Sequence, residues 1–288
     1  MVKVADLLEA GRTMSFEFFP PRTDEAERAL EKAVGELAPL EPSFVSVTYG
    51  ALGSTKERTR EVVVRLNRDQ SFPCVAHLTC VGHTRGELVA LLDEYAANGV
   101  ENILALGGDP PADGSDPGGD FTYASELVAL VREHPGGFGV GVAAHPEVHP
   151  RSSDRAGDRE RLARKLEAAD YGITQFFFDA ADYLRMVDEL DSLGCTTPVI
   201  PSVMPLISAA GIRRMAGMNG SKIPASLDAE LDRRGSDAQA ILDLGVEVAT
   251  DLCRQLLDQD VPGLHLYAMN RSESVRQIYA NLGLQQGR

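Results

Sequence analysis

The stretch Ser15-Phe16-Glu17-Phe18-Phe19-Pro20-Pro21-Arg22-Thr23 lies near the start of the chain and decides between two β/α folds. Its first half is apolar and indicates a β-strand, and its second half is the turn that leaves this strand. An open doubly wound sheet normally carries a glycine-rich turn after its first strand. Two aromatic residues and two prolines stand at that point instead, so the stretch favours a closed barrel.

The rest of the chain supports this choice, because apolar runs of strand length alternate with longer segments of helical period. The predicted strands are Thr13–Phe19, Phe44–Tyr49, Cys74–Cys80, Asn102–Leu106, Gly139–Ala144, Ile173–Phe178, Pro198–Met204 and Leu264–Met269. The predicted helices include Asp24–Leu37, Thr55–Arg68, Thr84–Asn98, Tyr123–Glu133, Arg159–Ala169 and Ala181–Leu193. Strict alternation implies parallel strands. Eight β-α units in 288 residues predict an α/β fold, a (βα)8 barrel of the TIM type forming a single domain over residues 1–288.

Composition excludes several classes of function. The net charge is −15, which argues against nucleic acid because phosphate binding needs clustered lysine and arginine. No apolar run reaches the roughly 20 residues of a membrane span, and the amino end lacks the apolar core of a signal peptide. We therefore expect a cytoplasmic protein without a membrane partner. The cysteines at 74, 80, 195 and 253 form no C-x-x-C pair, which indicates reduced, mostly buried thiols.

Polar residues stand at or just after the carboxyl end of almost every predicted strand, where a barrel of this type places its active site. They are Glu17, Thr48, Tyr49, His77, Thr79, Asp109, His145, Glu147, His149, Gln175, Asp179, Tyr267, Asn270 and Arg271. Glu17 is the most informative, since a carboxylate among aromatic residues is costly unless it is paired, protonated or used. Apolar surroundings favour the neutral acid, which is how proteins make a proton donor that works near neutral pH.

Other chemistries lack their motifs. His145-Pro146-Glu147-Val148-His149 differs from the helical zinc signature in spacing and contains a proline, so we expect no metal. Gly53-Ser54-Thr55-Lys56 has the letters of a phosphate-binding loop in the wrong order, and no nucleophile elbow is present. The residues at the strand ends therefore suit general-acid chemistry on a bound organic cofactor. The longest irregular stretch, Gly107–Asp120, follows the fourth strand and is a candidate functional loop.

Motifs along nearly the whole chain resemble the methylenetetrahydrofolate reductase family. They are Phe16–Thr23, Phe44–Ala51, Ala76–Cys80, Gly108–Pro111, Pro146–Pro150, Ile173–Asp179 and Tyr267–Arg271. The resemblance implies a (βα)8 barrel that binds FAD and reduces 5,10-methylenetetrahydrofolate to 5-methyltetrahydrofolate. NADH or NADPH would donate the hydride. It also implies a flavoprotein of one-carbon metabolism and methionine biosynthesis, and we expect a homo-oligomer that binds folate.

The resemblance assigns roles to individual residues. Glu17 would be the general acid that protonates the folate nitrogen at position 10 and opens the imidazolidine ring to an iminium. Asp109 would bind the pterin and place negative charge near the flavin. Gln175 would hold the pterin and the nicotinamide amide in alternation, and Arg271 would pair with the folate tail. Met215 and Tyr267 complete the expected substrate site. The expected FAD contacts are Thr48, Tyr49, Ala51, His77, Gly107, Gly108, Asp109, Tyr123, Ala124, His145, His149, Asp158, Arg161, Arg164 and Lys165.

Several positions depart from the family pattern. Gly107 stands where the family often has an arginine, His145 where it has another aromatic residue, and Arg161 at an asparagine-type position. Gly211 and Met215 match a family glutamine and phenylalanine. Because these changes cluster on flavin and dinucleotide contacts, two alternatives stay open. One is direct hydride transfer from nicotinamide to folate without tightly bound flavin, and the other is a non-catalytic partner subunit that binds flavin or folate. A third reading is an unrelated metal-dependent barrel hydrolase.

Overall fold

The strands form one parallel sheet. The computed structural model describes residues 2–49, 54–108, 116 and 118–284, with backbone alone at 54–56. The strands are β1 Thr13–Phe18, β2 Phe44–Val47, β3 Cys74–Thr79, β4 Asn102–Leu106, β5 Gly139–Ala144, β6 Tyr171–Thr174, β7 Val199–Ile200, β8 Ser202–Val203 and β9 Gly263–Tyr267. Their order in the sheet is β7-β6-β5-β4-β3-β2-β1-β9-β8.

The sheet closes into a nearly complete barrel at Pro201. Strands β7 and β8 lie at opposite ends of the sheet order, yet this one residue separates them along the chain. Proline has no amide hydrogen to donate to a ladder, so the predicted strand Pro198–Met204 is split into two short ones. The amide of Ser202 donates to the hydroxyl of Thr174 at 2.7 Å, and the carbonyl of Pro201 accepts from the amide of His265 at 3.0 Å. The predicted α/β barrel of the TIM type is confirmed.

Helices cover the outside of this barrel. They are α1 Val4–Ala10, α2 Asp24–Leu37, α3 Ser54–Asp69, α4 Arg85–Ala97, α5 Ala124–Glu133, α6 Arg155–Glu167, α7 Ala180–Ser192, α8 Ala209–Asn219, α9 Ala225–Arg234, α10 Ala238–Leu257 and α11 Glu273–Asn281. The six predicted helices are present. Helix α6 begins earlier than predicted because the side chain of Asp154 accepts from the amide of Gly157 at 2.7 Å and caps the first turn. No helix of the described chain is both long and apolar enough to cross a bilayer.

Strand β6 is shifted from its predicted position. It ends at Thr174, and residues 175–178 leave the sheet instead of continuing it to Phe178. The two buried aromatic residues of this segment pack on other elements, Phe176 against Tyr267 and Phe177 against Tyr183 of α7. These contacts bury both rings, and Gln175 is left at the carboxyl end of the barrel.

Helix α1 was not predicted, and it closes the end of the barrel opposite the strand carboxyl ends. Val4 is fully buried in a core that includes Phe44 and Leu104 from the inner face of the sheet. Its amide donates to the side-chain oxygen of Asn102 at 2.9 Å, and the Asn102 amide group donates to the carbonyl of Val2 at 3.1 Å. The remaining core lies between the outer face of the sheet and the helices.

Candidate active site

Glu17 lies inside the barrel. Its neighbours in β1, Phe16 and Phe18, belong to the core outside the sheet, so the alternation of a strand turns Glu17 inward. Only 5% of its surface is exposed. Its Oε2 atom lies 3.5 Å from Nε2 of His265 and 3.6 Å from Nε2 of His77. Glu17 is therefore not a charge on a solvent-facing side of the strand, and its burial agrees with the apolar surroundings that the sequence indicated.

His265 heads a buried polar cluster that the sequence analysis missed. It is fully buried, with Nδ1 at 2.7 Å from the hydroxyl of Ser15 and Nε2 at 3.2 Å from that of Ser46. The signal was the register of the parallel strands, in which His265 lies beside Ser15 and Tyr267 beside Glu17. Since residues two apart share a face, two polar pairs on neighbouring strands indicate a polar patch inside the barrel.

His77 contributes no positive charge to this cluster at neutral pH. Burial lowers its pKa from 6.5 to about 4; Glu17 opposes this shift and His265 adds to it. Its Nε2 atom is buried and has no hydrogen-bond partner among the described residues. His77 therefore lies beside Glu17 as a neutral imidazole at neutral pH.

His77 should steepen the loss of stability in acid. Below about pH 6.5 the unfolded chain protonates this imidazole, whereas the folded protein does so only near pH 4. The free energy of unfolding should therefore fall as the pH drops through this range. In His77→Gln we expect the decline to be flatter by about 1.4 kcal/mol per pH unit. Urea unfolding followed by circular dichroism at a series of pH values measures this slope, and equal slopes for both proteins would contradict the assignment.

Gln175 and Tyr267 extend the site along the mouth. The hydroxyl of Tyr267 donates to Oε1 of Gln175 at 3.5 Å. Burial, with the charge of Glu17 as a smaller cause, raises the pKa of Tyr267 well above its usual value, so this phenol stays a hydrogen-bond donor. Met215 of α8 packs at the edge of the core that contains Tyr267 and Phe176. The structure thus brings these predicted substrate residues to one side of Glu17, whereas Arg271 is exposed at the rim.

A second, cationic cluster lies at the carboxyl end of β5. The rings of His145 and His149 meet at 4.5 Å, and the ammonium of Lys165 donates to the carbonyl of Ala143 at 2.6 Å. Burial lowers the pKa of His145 to about 3, with neighbouring cations as further causes, and burial lowers the pKa of Lys165 to about 8. Lys165 is thus a cation at neutral pH beside two neutral rings.

Arg159, another residue that the sequence analysis missed, holds the loop that carries His145 and His149. Its guanidinium is 2% exposed and donates to the carbonyls of residues 145, 146 and 147 at 3.1, 2.6 and 2.6 Å. It also pairs with Asp158 and Glu189, each at 2.7 Å. From sequence alone it is one more charge on a helix, because nothing marks which charge turns inward.

Asp158 was predicted to contact FAD, and the structure places it beneath this loop. Its Oδ1 atom accepts from the hydroxyl of Ser152 at 2.6 Å and from the amide of His149 at 3.3 Å. On the same face of α6 lie Arg161 and Lys165, three and seven residues further on. The structure does not draw Arg164 into this cluster, because its guanidinium is exposed and pairs with Glu160 at 3.3 Å.

A third part of the mouth is formed by the ends of β2, β3 and β4. The Tyr49 hydroxyl lies 3.0 Å from Nε2 of His83, and burial raises the pKa of Tyr49 to about 12. Gly108 has a φ of +91°, and a Cβ there would lie 3.1 Å from Cβ of Thr79, so a side chain would be both strained and crowded. Of the other predicted FAD contacts, Thr48 and Gly107 directly follow β2 and β4, Tyr123 is the N-cap of α5 and Ala124 its first residue. Ala51 and Asp109 lie outside the described residues.

Comparison with known proteins identifies the family. A sequence profile of the methylenetetrahydrofolate reductase family matches residues 3–283. The chain belongs to the methylenetetrahydrofolate reductase family. A 5,10-methylenetetrahydrofolate reductase of Salmonella typhimurium is 37% identical over 275 residues, which cover 95% of this chain and 92% of that protein. A "methylenetetrahydrofolate reductase (NADH) 1" of Arabidopsis thaliana is 35% identical over 98% of this chain and 50% of its own length.

Membership in the methylenetetrahydrofolate reductase family confirms the resemblance and makes this chain an oxidoreductase of that family. A solved structure with the same fold is a Clostridium thermocellum protein described as binding two copies of 5-methyl-5,6,7,8-tetrahydrofolic acid. It has a TM-score of 0.63 at 16% identity and covers 98% of this chain and 96% of its own, so it supports the fold alone. The reading as an unrelated metal-dependent hydrolase is wrong. Among the described residues, no group of three His, Cys, Asp or Glu side chains could hold a metal ion.

Proposed function

We propose that this protein reduces 5,10-methylenetetrahydrofolate to 5-methyltetrahydrofolate, with FAD as cofactor and NADH or NADPH as hydride donor. The observation that carries the proposal is Glu17, a 95% buried acid at the mouth of the barrel whose partner His77 is neutral. The family supplies the class of reaction, and the curated plant relatives carry NADH in their names.

Glu17 acts in this proposal as the general acid. Its carboxyl group is buried inside the barrel, 3.6 Å from the imidazole of His77 and 3.5 Å from that of His265. It donates a proton to the folate nitrogen at position 10, which opens the five-membered ring and leaves an iminium that accepts hydride. Gln175 and Tyr267, whose side chains lie 3.5 Å apart, hold the pterin beside Glu17. Asp109, Met215 and Arg271 complete the substrate site, with Arg271 binding the carboxylate of the folate tail.

The residues around the mouth fit FAD. A diphosphate needs cations, which Lys165 and Arg161 supply on one face of α6, with the exposed Arg164 beside them. A flat ring needs backbone that it can approach closely, which Gly108 supplies because it carries no side chain. His77 has a buried Nε2 atom without a hydrogen-bond partner among the described residues, which a bound cofactor could satisfy. When bound, FAD supplies the hydride carrier between the dinucleotide and the folate.

The visible absorption spectrum of the purified protein tests the cofactor. We expect a yellow protein with a flavin band that NADH or NADPH bleaches and 5,10-methylenetetrahydrofolate restores. A colourless protein that still reduces folate would favour direct transfer from nicotinamide. A protein that binds flavin or folate but turns over neither donor would favour a partner subunit. A homo-oligomer in the cytoplasm, serving methionine biosynthesis, belongs to the same proposal, and analytical ultracentrifugation tests the assembly.

Lys165 should make FAD binding depend on pH. Its ammonium has a pKa of about 8, so it loses its charge as the pH rises through that value. An anion bound beside it raises that pKa, which by linkage means that affinity falls as the pH rises above about 8. Titration of the flavin-free protein with FAD between about pH 7 and pH 9 measures this fall.

Lys165→Met and Arg161→Met make a matched pair for this test. The first should lower the affinity and also flatten its pH dependence. The second should lower the affinity and leave the pH dependence unchanged, because a guanidinium keeps its charge throughout this range. An unaltered pH dependence in Lys165→Met would show that Lys165 does not bind the anion.

A further inference from the structure

Gly107 leaves a space at the end of β4 that Arg151 borders. A Cβ atom built on Gly107 would lie 3.8 Å from the Nη2 atom of Arg151 and 3.8 Å from the amide nitrogen of Ala124, at the start of α5. Arg151 belongs to the loop after β5, so its guanidinium reaches across the mouth to the neighbouring strand end. A side chain at position 107 would have to share this space with it.

The guanidinium of Arg151 has no carboxylate partner among the described residues. Its backbone amide donates to Nδ1 of His149 at 3.1 Å, which fixes the start of the side chain. The next two arginines of this region each pair with a carboxylate, Arg155 with Glu189 at 2.6 Å and Arg159 with the same carboxylate at 2.7 Å. In a chain of net charge −15, an arginine left without an acid at a barrel mouth indicates an anion from outside the chain.

The surroundings strengthen this positive region. The charge of Arg151 lowers the pKa of both His145 and His149, after burial as the larger cause. Asp158 is already paired with Arg159 and accepts from Ser152. Glu126, whose charge acts on the same Cys80 thiol as that of Arg151, accepts from the amides of Thr122 and Tyr123. The charges of Arg151 and Lys165 therefore both act on these two imidazoles, and neither cation has a carboxylate within ion-pair distance among the described residues.

We propose that Arg151 binds the diphosphate of the flavin dinucleotide above Gly107. The loop after β5 thereby supplies a guanidinium to the end of β4, where Gly107 has no side chain. This inference rests on the proposed function, since it names a residue for the FAD of that function. The planar guanidinium of arginine can donate to two phosphate oxygens at once, and the absence of a side chain at Gly107 leaves space for it. Positions 107 and 151 should then be interchangeable sources of one positive charge.

The test measures FAD dissociation constants of the full chain after removal of bound flavin, by titration calorimetry. We expect Arg151→Ala to weaken FAD binding about 10- to 100-fold, and Arg151→Lys to recover only part of this. Gly107→Arg in the Arg151→Ala background should regain about tenfold or more. Gly107→Arg alone should give no gain, because the two guanidinium groups would compete for one space. Arg254→Ala, on the far surface of α10, is the control and should bind FAD normally.

Riboflavin separates phosphate binding from damage to the loop. It lacks the phosphates, so its affinity should be the same in the unaltered protein and in Arg151→Ala. Equal losses for riboflavin and FAD would overturn the inference, as would an FAD affinity within about twofold of the unaltered protein. If the unaltered protein binds no FAD at all, the proposed function fails together with this inference. If the unaltered protein binds FAD tightly and Arg151→Ala binds it equally well, this inference is wrong and the proposed function stands.

Discussion

Replacing Glu17 with glutamine should lower the rate of folate reduction about 10²- to 10⁴-fold and leave NADH oxidation with a quinone acceptor almost unchanged. Glutamine keeps the volume and one carbonyl oxygen of the side chain. It should therefore preserve the packing of Glu17 against His77 and His265 inside the barrel. It has no acidic proton to give to the folate nitrogen. The two rates are measured separately, each with its own electron acceptor, on the same preparation.

A second glutamate-to-glutamine variant serves as the control for Glu17→Gln. Glu133→Gln, at an exposed glutamate on α5 that pairs with Arg85 at 2.8 Å, should change neither rate. If Glu17→Gln lost both rates together, the change would have damaged the barrel and not a proton donor. If it kept both, Glu17 would not be the acid, and the proposed mechanism would be wrong at its central step.

Replacing Arg159 with methionine should lower the free energy of unfolding by about 3–5 kcal/mol. Methionine fills a similar volume but leaves the carbonyls of residues 145–147 without their donor. It also leaves the charge of Asp158 unpaired in a site that is 6% exposed. Glu189 keeps its partner Arg155, so the cost comes mainly from Asp158 and the loop carbonyls. Urea unfolding at constant pH measures the change.

Two further variants make this prediction specific. Adding Asp158→Asn to Arg159→Met should recover part of the loss, because it removes the unpaired buried charge. Arg213→Met breaks two ion pairs, with Asp228 at 2.7 Å and Asp232 at 2.6 Å, but on the surface. It should cost about 1 kcal/mol or less. A cost for Arg159→Met as small as that of Arg213→Met would show that the buried network is not what holds the loop.

The barrel was predictable because apolar runs and helical periods alternate along the whole chain, and the turn after β1 excludes the open sheet. The break at Pro201 was not predicted, since its effect depends on which two strands the flanking residues pair with. Helix α1 was missed because seven residues carry too little periodicity to separate a helix from an irregular start. The end of β6 was misplaced because an apolar run says nothing about which element its aromatic residues pack against.

The candidate site also contains residues that the sequence indicates and residues that only the structure identifies. Glu17 stands out in the sequence because an acid interrupts an aromatic run, and the structure buries it. The partners of Glu17 are less visible, since Ser15, Ser46 and His265 become one cluster only through the register of three strands. Around the cationic cluster, sequence pattern could not separate Arg159, which faces inward, from Arg164, which pairs on the surface. Local residue type indicates chemistry, whereas tertiary contacts decide which residue performs it.

The split at Pro201 also determines where the wall of the barrel yields most easily. Strands β7 and β8 contain two residues each, so the ladder around the barrel is thinnest between β6 and β9. Local openings of a protein cost least where the fewest backbone hydrogen bonds must break. This seam adjoins Gln175 and Tyr267, and it lies two strands away from the loop after β5 that Arg159 braces. The pocket is therefore rigid beneath the cationic cluster and more easily deformed near Gln175 and Tyr267. In the proposed function, the nicotinamide and the pterin would bind in alternation at this deformable side.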